Sequence, residues 1–169
     1  KVVVILDPAT QKPDVLRVNR TREKQYAFDY VFEPSSSQEA TYHHTTKFLI
    51  HGVLDGFNAT VFAYGQTGSG KTFTMIGMQE NPGIMVRVMS DLFVHSTAHT
   101  KAHAVNHKVT VSFLEVYNEN IRDLLGIGDS AEEYLDLRED PIKGPVVAGI
   151  TEVEAKSANE IMQLLHQGN

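Results

Sequence analysis

"AYGQTGSGKTFTM", residues 63–75, decides how the chain is read. Within it Gly65, Gly70, Lys71 and Thr72 fit G-x-x-x-x-G-K-[ST], the pattern of a phosphate-binding loop. Phosphate oxygens need many donors in a small concave space. A backbone that curls around them presents successive N–H groups, and Gly65, Gly68 and Gly70 permit that curl and the close approach of the ligand. A helix starting near Lys71 adds its positive N-terminal end. Lys71 supplies a point charge for the outer phosphates, and the Thr72 hydroxyl is a hard oxygen ligand suited to Mg²⁺. The setting supports the motif. "ATVFAY", residues 59–64, is apolar nearly throughout, as expected of a strand buried on both faces, and it runs directly into the loop.

Working outward, Val2–Leu6 is a β-branched run stopped by Asp7-Pro8, and 15–18 is a weaker strand candidate. In "QYAFDYVF", residues 25–32, Tyr26, Phe28, Tyr30 and Phe32 share one face at period two, which predicts a strand. Ser36 with Glu39 has the spacing of a capping box, and Tyr42, Leu49, Ile50, Val53 and Leu54 follow at helical spacing until Gly56. Gly77 and Asn81-Pro82-Gly83 interrupt the helix that begins at Lys71, and residues 84–94 resume it. Residues 108–117 alternate as a strand with Val109, Val111 and Phe113 on one face. "NENIRDLL", 118–125, reads as a short helix, and 134–137 and 146–151 read as short strands. A second capping box, Ser157 with Glu160, opens a last helix with Ile161, Leu164 and Leu165 on its apolar side and Gly168 at its stop. Strands mixed with helices throughout predict α/β layers.

The chain has 169 residues, 41% apolar and 21% charged, which suits one soluble domain with a real core. A net charge of −6 argues against whole-surface binding to nucleic acid or anionic lipid. There is no cysteine, hence no disulfide framework and no thiolate metal site. The longest apolar run, Val2–Leu6, is far too short for a membrane span, and no signal peptide is visible. The expectation is an intracellular protein with neither nucleic acid nor membrane as partner. One further pattern stands apart. His95, His99, His103 and His107 recur every four residues and would share a face on a continuous helix, where an i, i+4 pair can hold Zn²⁺. The alternative is a His-rich polar surface, since "STAHTKAHAVNH" contains poor helix formers and no carboxylate.

The flanks of the loop narrow the reading further. "FNATVFAYGQTGSGKTFTM" resembles the nucleotide-binding segment of the kinesin motor domain, and "YAFDYVF", "PGIMVRVMSDLF" and "VSFLEVYNENIRDLL" resemble kinesin segments in the same order. "LREDPIKGPVVAGITEV" with "EIMQLLHQGN" resembles class-eight kinesins, which walk to microtubule ends and can destabilise them, and within that class the ciliary, length-regulating branch. The resemblance implies a P-loop NTPase fold with a mixed central sheet and helices on both faces, incomplete in this chain. It implies that Gly65, Gln66, Thr67, Gly68, Ser69, Gly70, Lys71 and Thr72 bind Mg·ATP, and that Phe73 lies against the adenine, the alternative for Phe73 being a core position on the first helical turn. It implies microtubules as partner, a dimer formed through regions outside this chain, and a cytoplasmic, cytoskeletal and ciliary location. Arg138 and Lys143 lie near strands that face tubulin in the family, though a solvated surface charge is the blander reading. Ala148 stands where conventional kinesins commonly carry lysine, which puts that contact in question. The resemblance also places the R-x-R-P segment before Lys1, and the S-S-R-S-H and D-x-x-G switches after Asn169. Residues 1–169 would then be the nucleotide-binding half of a motor head. A non-catalytic kinesin-like structural module is the competing reading; an unrelated P-loop NTPase is opposed by the flanking motifs.

Overall fold

The computed structural model describes residues 1–6, 23–103, 106–126 and 134–167, without the side chains at 101–103 and 167. Strand β1, Val2–Leu6, pairs antiparallel with β2, Glu23–Ala27, with Val2 opposite Ala27. The strand predicted over 25–32 therefore stops early, and only Tyr26 of its four aromatics lies within it. Of the others, Tyr30 stacks on His44 with centroids 4.4 Å apart and meets Phe32 at 4.6 Å, while Phe28 is exposed. The candidate strand at 15–18 lies outside the described residues.

Helix α1, Gln38–Thr45, is capped one residue later than the spacing predicted. Ser37 is extended (φ −77°, ψ 160°) and its hydroxyl accepts from the Ala40 N–H. Ser36 instead accepts from the Glu33 N–H. The expected single helix breaks at Thr46, which is fully buried and turns both its N–H and its hydroxyl onto the Tyr42 carbonyl. Helix α2, Leu49–Leu54, ends at Gly56 as expected. Gly56 takes φ 96°, its N–H bonds Val53 O, and Phe57 N–H bonds Gly52 O, the paired bonds of a Schellman stop.

After the loop come α3, Lys71–Met75, and α4, Ile84–His103. The interruption between them is a small closed loop. Met78 and Asn81 exchange backbone bonds, Gly83 N–H bonds Ile76 O at 2.8 Å, and Gly77 bridges Pro82. Helix α4 runs on past Val94, where the sequence suggested an end.

The remaining strands are β3, Thr110–Val111, β4, Leu114–Tyr117, β5, Asn120–Asp123, β6, Tyr134–Asp140, β7, Gly144–Ala148, and β8, Val153–Glu154; helix α5 is Ala158–Gln167. Strand β3 pairs with β8, and β4-β5-β6-β7 form an antiparallel meander. The short helix expected at 118–125 is a hairpin. Asn118 (φ 48°) and Glu119 (φ 63°) both adopt the left-handed region, which is the two-residue turn whose twist matches paired strands, and Tyr117 faces Asn120 across it. Helix α5 is capped as predicted: Ser157 Oγ accepts from Glu160 N–H, while the Glu160 carboxylate accepts from Lys156 N–H at 2.7 Å.

Ala155, Ile161 and Leu165 form the buried centre, packed against Met85, Met89 and Phe93 of α4 and against Val109, Val111 and Phe113. A different outcome meets residues 59–64. They pair with no strand among the described residues, and Phe62 and Tyr64 are 81% and 95% exposed. A run apolar on both faces becomes a strand only when neighbours supply ladder bonds and cover both faces.

Candidate functional site

The loop is built from a turn and a left-handed helix start. Ser69 N–H bonds Gln66 O at 3.1 Å, and Gly68, at the third place of that turn, takes φ 81°. Gly70 takes φ 90° and caps α3 with no side-chain bond, so the first N–H groups of the helix carry no side-chain acceptor. At Gly65 an added Cβ would run into Ser69 Oγ. Lys71 curls back across the mouth, its ammonium donating to Gly65 O at 2.7 Å and Gln66 O at 2.8 Å. Gly65, Gln66, Thr67, Gly68, Ser69, Gly70 and Lys71 thus form one continuous loop into α3, with Thr72 exposed on its first turn. Its donor set suits a polyphosphate: Gly68 and Gly70 take the left-handed backbone that turns successive N–H groups round the loop, and the Lys71 ammonium lies against the carbonyls of Gly65 and Gln66. Phe73, on the first turn of α3, is 48% exposed.

Two positioning residues were not legible in the sequence. Gln38, buried at the start of α1, donates from Nε2 to the Phe73 carbonyl at 2.6 Å and so ties α1 to the loop helix. Gly83 lies so close to α3 that a Cβ would stand 2.6 Å from Thr74 O and 2.7 Å from Met75 O. Behind them, the Tyr42 hydroxyl donates to Asp91 Oδ2 at 2.6 Å, joining α1 to α4. Burial, then the bond to Asp91 and its charge, push the Tyr42 phenol well above its ordinary range, against a small opposing effect of Arg87.

Arg138 lies on β6 and Lys143 in the following turn. Arg138 is paired at 3.1 Å with Asp136 of its own strand, both exposed. Asp140 Oδ1 accepts the N–H groups of Ile142 and Lys143, which holds this carboxyl below its ordinary range. Ala148 lies opposite Asp136 in the ladder. The two basic candidates therefore sit among Asp136, Glu139 and Asp140, and this face is mixed in charge. At its root Asp123 is buried. Burial pushes its carboxyl up, but the bonds from Thr151 and from the Leu125 and Gly126 backbone outweigh it and leave the group below its ordinary value. Asp123 anchors the 149–152 connection to the hairpin. Of the four spaced histidines, His95, His99 and His103 fall on α4, and His107 lies beyond it with a ring nitrogen 3.1 Å from His99.

With this geometry in hand, comparison with known proteins gives consistent matches. The sequence model of the family described as "Kinesin motor domain" matches residues 3–169. The mouse protein "Kinesin-like protein KIF19" is 51% identical over 170 residues, covering 100% of this chain and 16% of its own length. The rice protein "Kinesin-like protein KIN-8A" is 45% identical over 166 residues, covering 98% of this chain and 20% of its own length. Among solved structures, "KIF14[391-772] dimer two-heads-bound state - AMP-PNP in complex with a microtubule" superposes with a TM-score of 0.83 at 32% identity, over 100% of this chain and 46% of that one. The chain thus spans about one sixth of the length of the mouse relative.

Proposed function

The chain belongs to the kinesin motor domain family, and from that premise we propose that residues 1–169 are the nucleotide-binding half of a microtubule-based motor ATPase whose switch segments lie beyond Asn169. Relatives carrying the class-eight name at 45% identity over nearly the whole chain support the class that the 137–153 stretch resembles. The ciliary branch and a cytoskeletal location rest on the likeness to KIF19, and dimerisation is assigned to regions outside these residues. No helix among the described residues is long and apolar enough to cross a membrane.

The observation that carries the reading is the Lys71 ammonium held across the mouth of a glycine cradle. In this proposal the backbone of Gly65 to Gly70 grips the phosphates, Lys71 exchanges its two carbonyl partners for outer phosphate oxygens, and Thr72 offers its hydroxyl to Mg²⁺. Phe73 presents a ring face to the base. Bound Mg²⁺ would neutralise charge on the β- and γ-oxygens. These residues supply grip and position; positioning of the attacking water belongs to the switches. The test is Lys71→Ala in the full-length protein. Microtubule-stimulated ATPase is expected to vanish while the fold persists, and retained turnover would overturn the assignment. Full-length protein is expected to sediment with microtubules in the presence of a non-hydrolysable ATP analogue. Protein remaining in the supernatant at low salt would support a non-catalytic module instead.

A further inference from the structure

The four-residue histidine spacing is the sequence pattern that the nucleotide loop does not absorb. Helix α4 carries His95 and His99 one turn apart. The chain beyond it brings His107 back against the helix, so that Nδ1 of His99 and Nε2 of His107 lie 3.1 Å apart, with ring centroids at 5.1 Å. On the other side of His99, Nε2 faces Oδ1 of Asp55 at 3.9 Å, from the end of α2. His51 of α2 meets His95 edge-on, centroids 5.2 Å apart.

Two ring nitrogens at this distance share one proton, one donating and the other accepting. The spacing also suits a common metal ion. With metal–nitrogen bonds of ~2.0–2.1 Å, two nitrogens 3.1 Å apart subtend about 100° at the ion. The Asp55 carboxylate lies on the Nε2 side of His99, which leaves Nδ1, the atom that faces His107, as the nitrogen to offer a lone pair when Nε2 carries the proton. His107 lines a cavity of ≈ 360 Å³ with Ser96, Thr97 and Thr100, which gives an ion a route to its ring, and Lys108 on the same wall is paired with Glu154 at 3.2 Å. Among the described residues no three His, Cys, Asp or Glu side chains converge on one point, so the described side chains offer two imidazoles, with water to supply further ligands.

We propose that His99 and His107 form a two-imidazole, water-completed site for a borderline divalent transition metal, which clips the end of α4 to the segment entering β3. Imidazole selects Zn²⁺, Ni²⁺ and Cu²⁺, with Cu²⁺ the tightest, over the oxygen-seeking Mg²⁺ and Ca²⁺. The site is therefore independent of the Mg²⁺ that accompanies a nucleotide.

The experiment uses metal-stripped full-length protein, wild type, His99→Gln and His107→Gln, with His51→Gln as a control and circular dichroism confirming the fold of each. Zn²⁺ is titrated by calorimetry with Mg²⁺ present in excess, and Cu²⁺ is followed by electron paramagnetic resonance. Wild type and His51→Gln are expected to bind one more Zn²⁺ than either His99 or His107 variant, with affinity at that site falling at least tenfold on either substitution. The Cu²⁺ spectrum of the site is expected to show splitting from two nitrogens. Equal stoichiometry and affinity in all four proteins, or displacement of Zn²⁺ by excess Mg²⁺, would overturn the proposal.

Discussion

Replacing Gln38 by methionine removes one hydrogen bond from the site at almost constant volume. The Phe73 carbonyl would ordinarily bond the N–H four residues on, but Gly77 N–H turns to Thr72 O at 3.3 Å as α3 closes. Gln38 Nε2, at 2.6 Å, takes the place of that partner, in a side chain only 5% exposed. Gln38→Met therefore leaves a part-buried carbonyl without this partner, at a cost of about 0.5–2 kcal/mol. Gln38→Ala loses the same bond and leaves a cavity besides, so it is expected to cost about 1–2 kcal/mol more. Gln38→Glu turns a carboxylate oxygen toward the carbonyl and is expected to be the worst of the three at neutral pH. Phe73 also follows Lys71 and Thr72, to which the proposed function assigns phosphate and Mg²⁺, so part of the loss should appear as weaker nucleotide binding, with each 1.4 kcal/mol worth about tenfold. The assay is urea unfolding of the full-length protein with and without Mg·ATP, read at constant m. A Gln38→Met protein within about 0.5 kcal/mol of wild type, the range of an ordinary surface change, with unaltered nucleotide affinity, would refute the role given to this bond.

Gly83→Ala is expected to destabilise by about 1–3 kcal/mol through overpacking, because the new methyl meets the backbone of Thr74 and Met75; a neutral result in the same urea assay would show that the 77–82 loop yields freely. Asp123 is expected to stabilise the fold above its unfolded pKa, and to lose that contribution as pH falls through its lowered folded value. The stability gap between wild type and Asp123→Asn should thus be full at pH 7 and close below about pH 4; a gap independent of pH would exclude the anchoring carboxylate. Residues 1–169 expressed alone are expected to aggregate and to release no phosphate, since 59–64 offers an unpaired apolar edge; a monodisperse, cooperatively melting monomer with ATPase activity would contradict this.

The site was legible in the sequence to the extent that local chemistry dictates it. The loop glycines, the helix starting at Lys71, the break at 77–83 and the Gly56 stop all depend on backbone constraints that a few residues announce. Ser157 with Glu160 did the same for α5. Three adjacent serines offered three possible caps, and only the geometry of α1 chose Ser37. "NENIRDLL" carries enough helix formers to suggest a helix, but Asn118 and Glu119 fold into a left-handed turn because β5 has β4 and β6 to pair with. Gln38 and Asp123 act across 35 and 28 residues of sequence, and no local pattern marks such reach. Residues 59–64 show the converse case: a strand-like run in sequence, left without a partner among the described residues.

That unpartnered run has a meaning during synthesis. If the remainder of the head supplies its neighbours, residues 59–64 emerge from the ribosome well before the strands that cover them. At ~5–20 residues per second, each further 100 residues take on the order of 5–20 s to appear. Throughout that interval Phe62 and Tyr64 face solvent, while α4 and α5 can already pack around Ile161 and Leu165. The nascent chain would then carry a folded C-terminal side and an open nucleotide loop, and holdase chaperones that recognise short extended apolar segments would find their target next to the Lys71 cradle.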